Sequence, residues 1–127
     1  MAGQGGTVTG GDPAEGAAVD AVRYLQVQTT TDSRAEAVEL GRSAVEARLA
    51  ACAQVSGPVV SSYWWEGDLE RAEEWLLSLK LPAARYQELA DFLTQRHSYD
   101  EPEIVATAIV AGSAAYLNWI EEVTQPL

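Results

Sequence analysis

Cysteine and histidine are almost missing from this sequence, and basic residues are scarce. The one cysteine, Cys52, excludes an internal disulfide and any zinc or iron–sulfur site built on several thiolates, which suits a reducing compartment. With His97 as the only histidine, a Cys–His catalytic pair has nothing but two residues far apart in sequence to support it. Eight Lys and Arg stand against 19 Asp and Glu, a net charge of -11, which argues against a nucleic-acid surface because phosphate binding needs clustered cations. That balance suits cations or basic partners. No apolar run is long enough to cross a bilayer, and the N-terminal stretch has neither the basic start nor the apolar core of a signal peptide. The expectation is a soluble cytoplasmic protein that binds neither nucleic acid nor membrane.

What the chain does contain falls into two zones. Residues 1–20 are rich in Gly, Ala and Thr without apolar periodicity, and read as a disordered tail. Their glycines are not followed by Gly-Lys-Ser/Thr, so they do not form a phosphate loop. Residues 21–127 read as a single domain of ordinary size.

Within that domain, alternation predicts a first strand over Val22–Gln28, broken by the threonines that follow. Ser33 with Glu36 three residues on forms a capping-box pattern at the head of a helix running from Arg34 to Cys52, whose apolar face is Val38, Val45, Leu49 and Cys52. Gly57-Pro58 suggests a bulge or bend as the next strand begins. The stretch from Ser61 to Lys80 then reads as a ribbon turning at Glu66-Gly67-Asp68. Its second arm is ambiguous: Leu69–Glu74 are good helix formers, while Trp75, Leu77 and Leu79 alternate as a strand would.

Pro82 suits the first turn of a second helix carrying Tyr86, Leu89, Ala90 and Leu93 on its buried stripe. A polar loop, 97–103, leads into the β-branched run Ile104–Val110, which has the composition of a central strand covered by helices. Gly112-Ser113 caps a final helix with Tyr116, Trp119, Ile120 and Val123 inward.

This order gives an α+β fold: a ferredoxin-like βαββαβ sandwich with a long hairpin between its second and third strands and an extra C-terminal helix. Ribbon arms of about ten residues are longer than the usual five or six, and a sandwich of this size does not cover them. Tyr63, Trp64, Trp65 and Trp75 on a protruding hairpin would form an apolar patch that monomers seldom expose. Partner subunits pairing along the strand edges are the economical cover.

From Tyr24 to Thr124 the chain resembles the CutA family of divalent cation tolerance proteins. The strings that carry the likeness are Thr29-Thr30-Thr31-Asp32, Glu46–Cys52, Ser62–Gly67, Tyr99 with Pro102-Glu103-Ile104, and Tyr116–Ile120. The resemblance implies a homotrimer of ferredoxin-like subunits with long hairpins paired between neighbours, placing Tyr63, Trp64, Trp65 and Trp75 at the trimer interface. It also implies a role in tolerance of copper and other divalent metals, without catalysis. Two departures bear on that role: Gln28 stands where copper-binding members carry a cysteine, and Ser98 stands where proline is usual. The metal candidates that remain are His97, Glu74 and Glu103, with Asp100 beside them, for a divalent ion such as Cu or Zn. Each has a plain structural reading: His97 as a helix-end residue, the ribbon's Glu66, Glu70, Glu73 and Glu74 as a solvated face, Cys52 as buried filler. The alternative function is a PII-like trimeric module for a small anion or a protein partner, with Lys80, Tyr99 and Arg48 as the anion candidates.

Overall fold

The computed structural model describes residues 22–126, so the expected tail lies outside the described residues. Four strands and three helices follow one another as β1 Tyr24–Thr31, α1 Arg34–Glu46, β2 Cys52–Trp65, β3 Asp68–Pro82, α2 Tyr86–Arg96, β4 Val105–Ala108 and α3 Ala114–Val123, with a 3-10 turn, Ala83–Arg85, before α2. The strands form one antiparallel sheet in the order β2-β3-β1-β4. This is the ferredoxin-like arrangement, with α3 added at the end. Among the described residues no helix is long and apolar enough to cross a membrane.

β1 begins and ends later than alternation predicts, because the threonines extend it. Thr29 and Thr31 continue the inward row begun by Val27, opposite Leu77 and Trp75 of β3; their β-branched side chains suit a pleated surface, although the Thr29 hydroxyl is buried with no hydrogen-bond partner among the described residues. Only at Ser33 does the chain turn, and its hydroxyl accepts the Glu36 N–H at 3.1 Å to start α1.

α1 stops at Glu46, well short of Cys52. Arg48 adopts a left-handed φ of 65°, which ends the helix and returns the chain to the sheet. Two arginines secure that corner: Arg85 Nη2 donates to the Arg48 carbonyl at 3.1 Å, and Arg48 Nη1 donates to the Val123 carbonyl at 3.0 Å. The buried face of α1 is Ala37, Leu40, Gly41 and Ala44, a different stripe from the expected one, and Val38 faces outward. Small residues win the inward face because they let the helix lie close to the sheet. With Leu77, Leu79 and Leu81 of β3 and Leu89 and Leu93 of α2 they form the core, each fully buried leucine contributing roughly 1.5–3 kcal/mol.

β3 is a strand throughout, so the helical propensity of Leu69–Glu74 is overridden by pairing with β2. The ribbon turns over Glu66 and Gly67 alone, Trp65 facing Asp68. A register shift between Ser56 and Val59 marks the bulge at Gly57-Pro58, whose peptide bond is cis. Pro82 closes β3 rather than opening a helix.

The run Ile104–Val110 is neither central nor covered. β4 spans four residues, pairs with β1 only, at the edge of the sheet, and exposes every side chain. α3 is capped by Ser113, but only Ile120 of its expected stripe is buried, and Tyr116 and Trp119 stack on each other partly in solvent.

Candidate functional site

The polar loop 97–103 brings together more functional side chains than any other part of the fold. α2 ends at His97, whose backbone N–H closes on Leu93 O at 2.9 Å and whose extended ψ of 144° turns the ring back under the sheet end. The imidazole is 0% exposed. Nε2 lies 2.8 Å from the Thr30 carbonyl, and Nδ1 takes the Tyr99 N–H at 3.0 Å. A backbone N–H can only donate and a carbonyl can only accept, so Nδ1 holds the lone pair and Nε2 the proton. Both ring nitrogens are therefore spent within the chain.

The Tyr99 ring sits 4.9 Å from the imidazole and its hydroxyl donates to Glu74 Oε2 at 2.8 Å. Burial first, then this bond to a carboxylate, with the charges of Glu74 and Asp32 behind it, push the phenol well above its usual range. Glu36 completes the cluster. It does not return to Ser33 as a capping box would: Oε2 accepts the Ser98 N–H at 2.9 Å, Oε1 accepts the Ser98 hydroxyl at 2.8 Å, and Oε2 lies 3.7 Å from His97 Nδ1. Sequence reading missed this role of Glu36. The signal was present in Ser98, which has an N–H and a hydroxyl where proline has neither.

The other candidates are dispersed. Glu103 Oε2 accepts the Gln28 amide at 2.9 Å, and Asp100 is exposed. Lys80 donates to Gln54 at 2.9 Å, six residues along β3 from Glu74, or ~20 Å at strand rise, so Lys80, Tyr99 and Arg48 do not converge within one chain. Cys52 begins β2 rather than ending α1, half-buried, with Tyr116 Oη 3.6 Å from its sulfur.

Along the ribbon, Tyr63, Trp64 and Trp65 are exposed, Trp64 by 73%, with Val60 and Leu69 beside them at 67% each. Trp75 differs: it lies at the ribbon's base, packed on the core, and a Cβ on Gly57 would meet its ring at 2.9 Å. The ribbon's exposed apolar residues are thus Val60, Trp64 and Leu69 on one face and Tyr63 and Trp65 on the other, without Trp75.

Residues 25–123 match the family model described as CutA1 divalent ion tolerance protein. The chain belongs to this family. CutA relatives surround it: human Protein CutA is 35% identical over 89 residues, covering 70% of this chain and 50% of that protein. This chain thus spans about half the length of the human relative. The solved CutA of Synechococcus elongatus superposes with a TM-score of 0.79 at 32% identity, covering 82% of this chain and 92% of that one. The periplasmic divalent cation tolerance protein CutA of Archaeoglobus fulgidus gives 0.78 at 32%, covering 80% and 99%.

The family's name invites a test of whether these residues fit a metal. They do not assemble one: among the described residues no three His, Cys, Asp or Glu side chains stand close enough together to hold an ion. The one lone pair of His97 is already engaged by the Tyr99 N–H, Glu74 and Glu103 each already accept a hydrogen bond from a neutral partner, and Gln28 supplies no soft thiolate.

Proposed function

We infer that this chain serves divalent cation tolerance as a homotrimeric binding protein in the cytoplasm, without catalysis, and that its ribbons hold the three copies together. The exposed apolar residues of the ribbon carry this reading: Val60, Trp64, Trp65 and Leu69 lie in solvent, and none of the described residues covers them. By strand alternation Val60, Trp64 and Leu69 share one face of the ribbon and Trp65 lies on the other, and exposed apolar side chains clustered in this way mark an interface. The outer edges of β2 and β4 add unpaired backbone donors and acceptors for a neighbour. The number three comes from the CutA likeness.

Cations, in this reading, are held weakly by the surplus of carboxylates, net charge -11, rather than at an imidazole or thiolate centre. Two measurements test it. Trp64→Glu combined with Leu69→Glu dissociates the assembly in size-exclusion chromatography while preserving the circular dichroism of the sandwich. Calorimetric titration with Zn(II) gives weak, salt-sensitive binding that is equal in the wild type and in His97→Ala. Assembly unaffected by two ribbon charges rejects the interface, and a tight site lost in His97→Ala rejects the diffuse one.

A further inference from the structure

Where α1 ends, its last turn and the loop 47–51 stand beside α3 with a cleft of about 340 Å³ between them. Val45 of α1, Ala50 and Ala51 of the loop and Val123 of α3 line it with apolar surface. Trp119, one helical turn before Val123, forms a partly exposed wall, its indole steadied by Tyr116 at 5.4 Å between ring centroids. One guanidinium, that of Arg48, borders the cleft. The volume lies at the lower end of small-molecule sites, which span roughly 300–1,000 Å³.

Arg48 is out of the ordinary here on two counts. Glycine or asparagine would stop the helix in the left-handed region at little cost, whereas arginine at φ 65° carries the Cβ penalty of that conformation. Its guanidinium is also fixed without being neutralised. Nη1 donates to the Val123 carbonyl at 3.0 Å, yet among the described residues no carboxylate stands within 4.0 Å of it, in a chain with 19 acidic residues. The acids around this corner are taken by other cations: Glu46 by Arg42 at 3.2 Å, Glu121 by Arg23 at 4.0 Å and Glu88 by Arg85 at 2.7 Å. The carbonyls of the last turn of α1 are occupied as well, since those of Ser43, Ala44 and Val45 accept the N–H groups of Ala47, Leu49 and Arg48, each at 3.0 Å.

We propose that this cleft binds a small aromatic monocarboxylate, its ring against Trp119 and the apolar floor and its carboxylate on Arg48. A guanidinium has five N–H groups in a planar fork, two of which match the two oxygens of a carboxylate, and only one is spent on Val123. The indole wall and the alanine and valine floor take a flat apolar body and have no partner for a second polar group. One positive charge, with Glu46 at the rim and a net charge of -11 on the chain, suits one negative charge and works against phosphates and dicarboxylates. The site is independent of both assembly and cation binding: it adjoins the start of β2 at Cys52, and the ribbon tip lies at the other end of that strand, about 40 Å away at strand rise.

Phenylacetate titrated into the ¹⁵N-labelled full-length chain, followed by NMR, tests this. The Ala50 and Ala51 amides and the Trp119 indole N–H should show saturable shifts by about 10 mM probe, while the Gly67 amide at the ribbon tip stays in place. Phenylacetamide, the same shape without the charge, should bind about tenfold more weakly or worse, because it gives up hydrogen bonds between charged groups. Arg48→Gln, which keeps a donor for Val123, should cost phenylacetate as much. Trp119→Ala, at an exposed position, should cost it about threefold or more, read at the two alanine amides. Inorganic phosphate should give no saturable shift. If Arg48→Gln fails to fold, the two probes compared in the wild type and Trp119→Ala still decide. The site is overturned by the absence of saturable shifts, by phenylacetamide binding as tightly as phenylacetate, by an affinity unchanged in either variant, or by phosphate binding as well as phenylacetate.

Discussion

At Gly41 helix and sheet come so close that a methyl group would not fit: a Cβ there would lie 2.8 Å from Ala53 Cβ and 2.9 Å from Leu77 Cδ1. Alanine in place of glycine gains about 1 kcal/mol of helix propensity, and overpacking a dense core costs about 1–3 kcal/mol. Because Ala53 is fixed to the sheet, the second effect should win. Gly41→Ala is expected to lower the urea midpoint and Gly41→Val to lower it further. Tyr99 makes a prediction about pH. Its phenol titrates well above the ordinary 10.0, so between pH 10 and the folded value the unfolded chain loses a proton that the folded chain keeps. Stability is whole below pH 10 and falls as the pH rises; Tyr99→Phe should show a shallower fall in urea midpoint from pH 9 to 11. At this scale the cap at Ser33 was legible in the sequence, since cap and helix are neighbours. The ties of Glu36 to Ser98 and of Arg85 to Arg48 were not, since they join residues 62 and 37 positions apart.

The ribbon shows how far an element can be read from local pattern. Its turn is legible because backbone geometry demands it: Glu66 and Gly67 have φ of 51° and 87°, the left-handed pair that makes a two-residue hairpin twist with its strands. A Cβ on Gly67 would meet nothing within 4 Å, so any cost of replacing it is backbone cost alone. Gly67→Val is expected to destabilise the fold by about 1–2 kcal/mol, measured by chemical denaturation. Glu66→Asn should be neutral or stabilising, because asparagine tolerates that region. Leu69–Glu74 was ambiguous for the opposite reason. Its residues favour helix one by one, and only pairing with Val59–Trp64 makes it a strand. The run Ile104–Val110 misleads in the same way, since its β-branched composition does not reveal that only β1 lies beside it. Helix α1 was recognised, yet its inward face was misassigned: apolar size points to Val38, whereas close approach to the sheet selects Gly41 and Ala44.

Across the whole molecule the element order sufficed to give the ferredoxin-like sandwich, and the family match over residues 25–123 agrees with it. The metal set was less legible. His97, Glu74 and Glu103 do lie around the same end of the sheet, but each is held by a partner that spacing does not disclose: Thr30 and Tyr99, Tyr99, and Gln28. Assembly belongs to this scale too, because the ribbon's exposed apolar side chains have no counterpart among the described residues to pack against. Sedimentation velocity of the full-length chain over a range of micromolar concentrations measures it most directly. The predicted result is a single species at three times the 13.6 kDa chain mass; a species that stays at 13.6 kDa throughout would contradict the account.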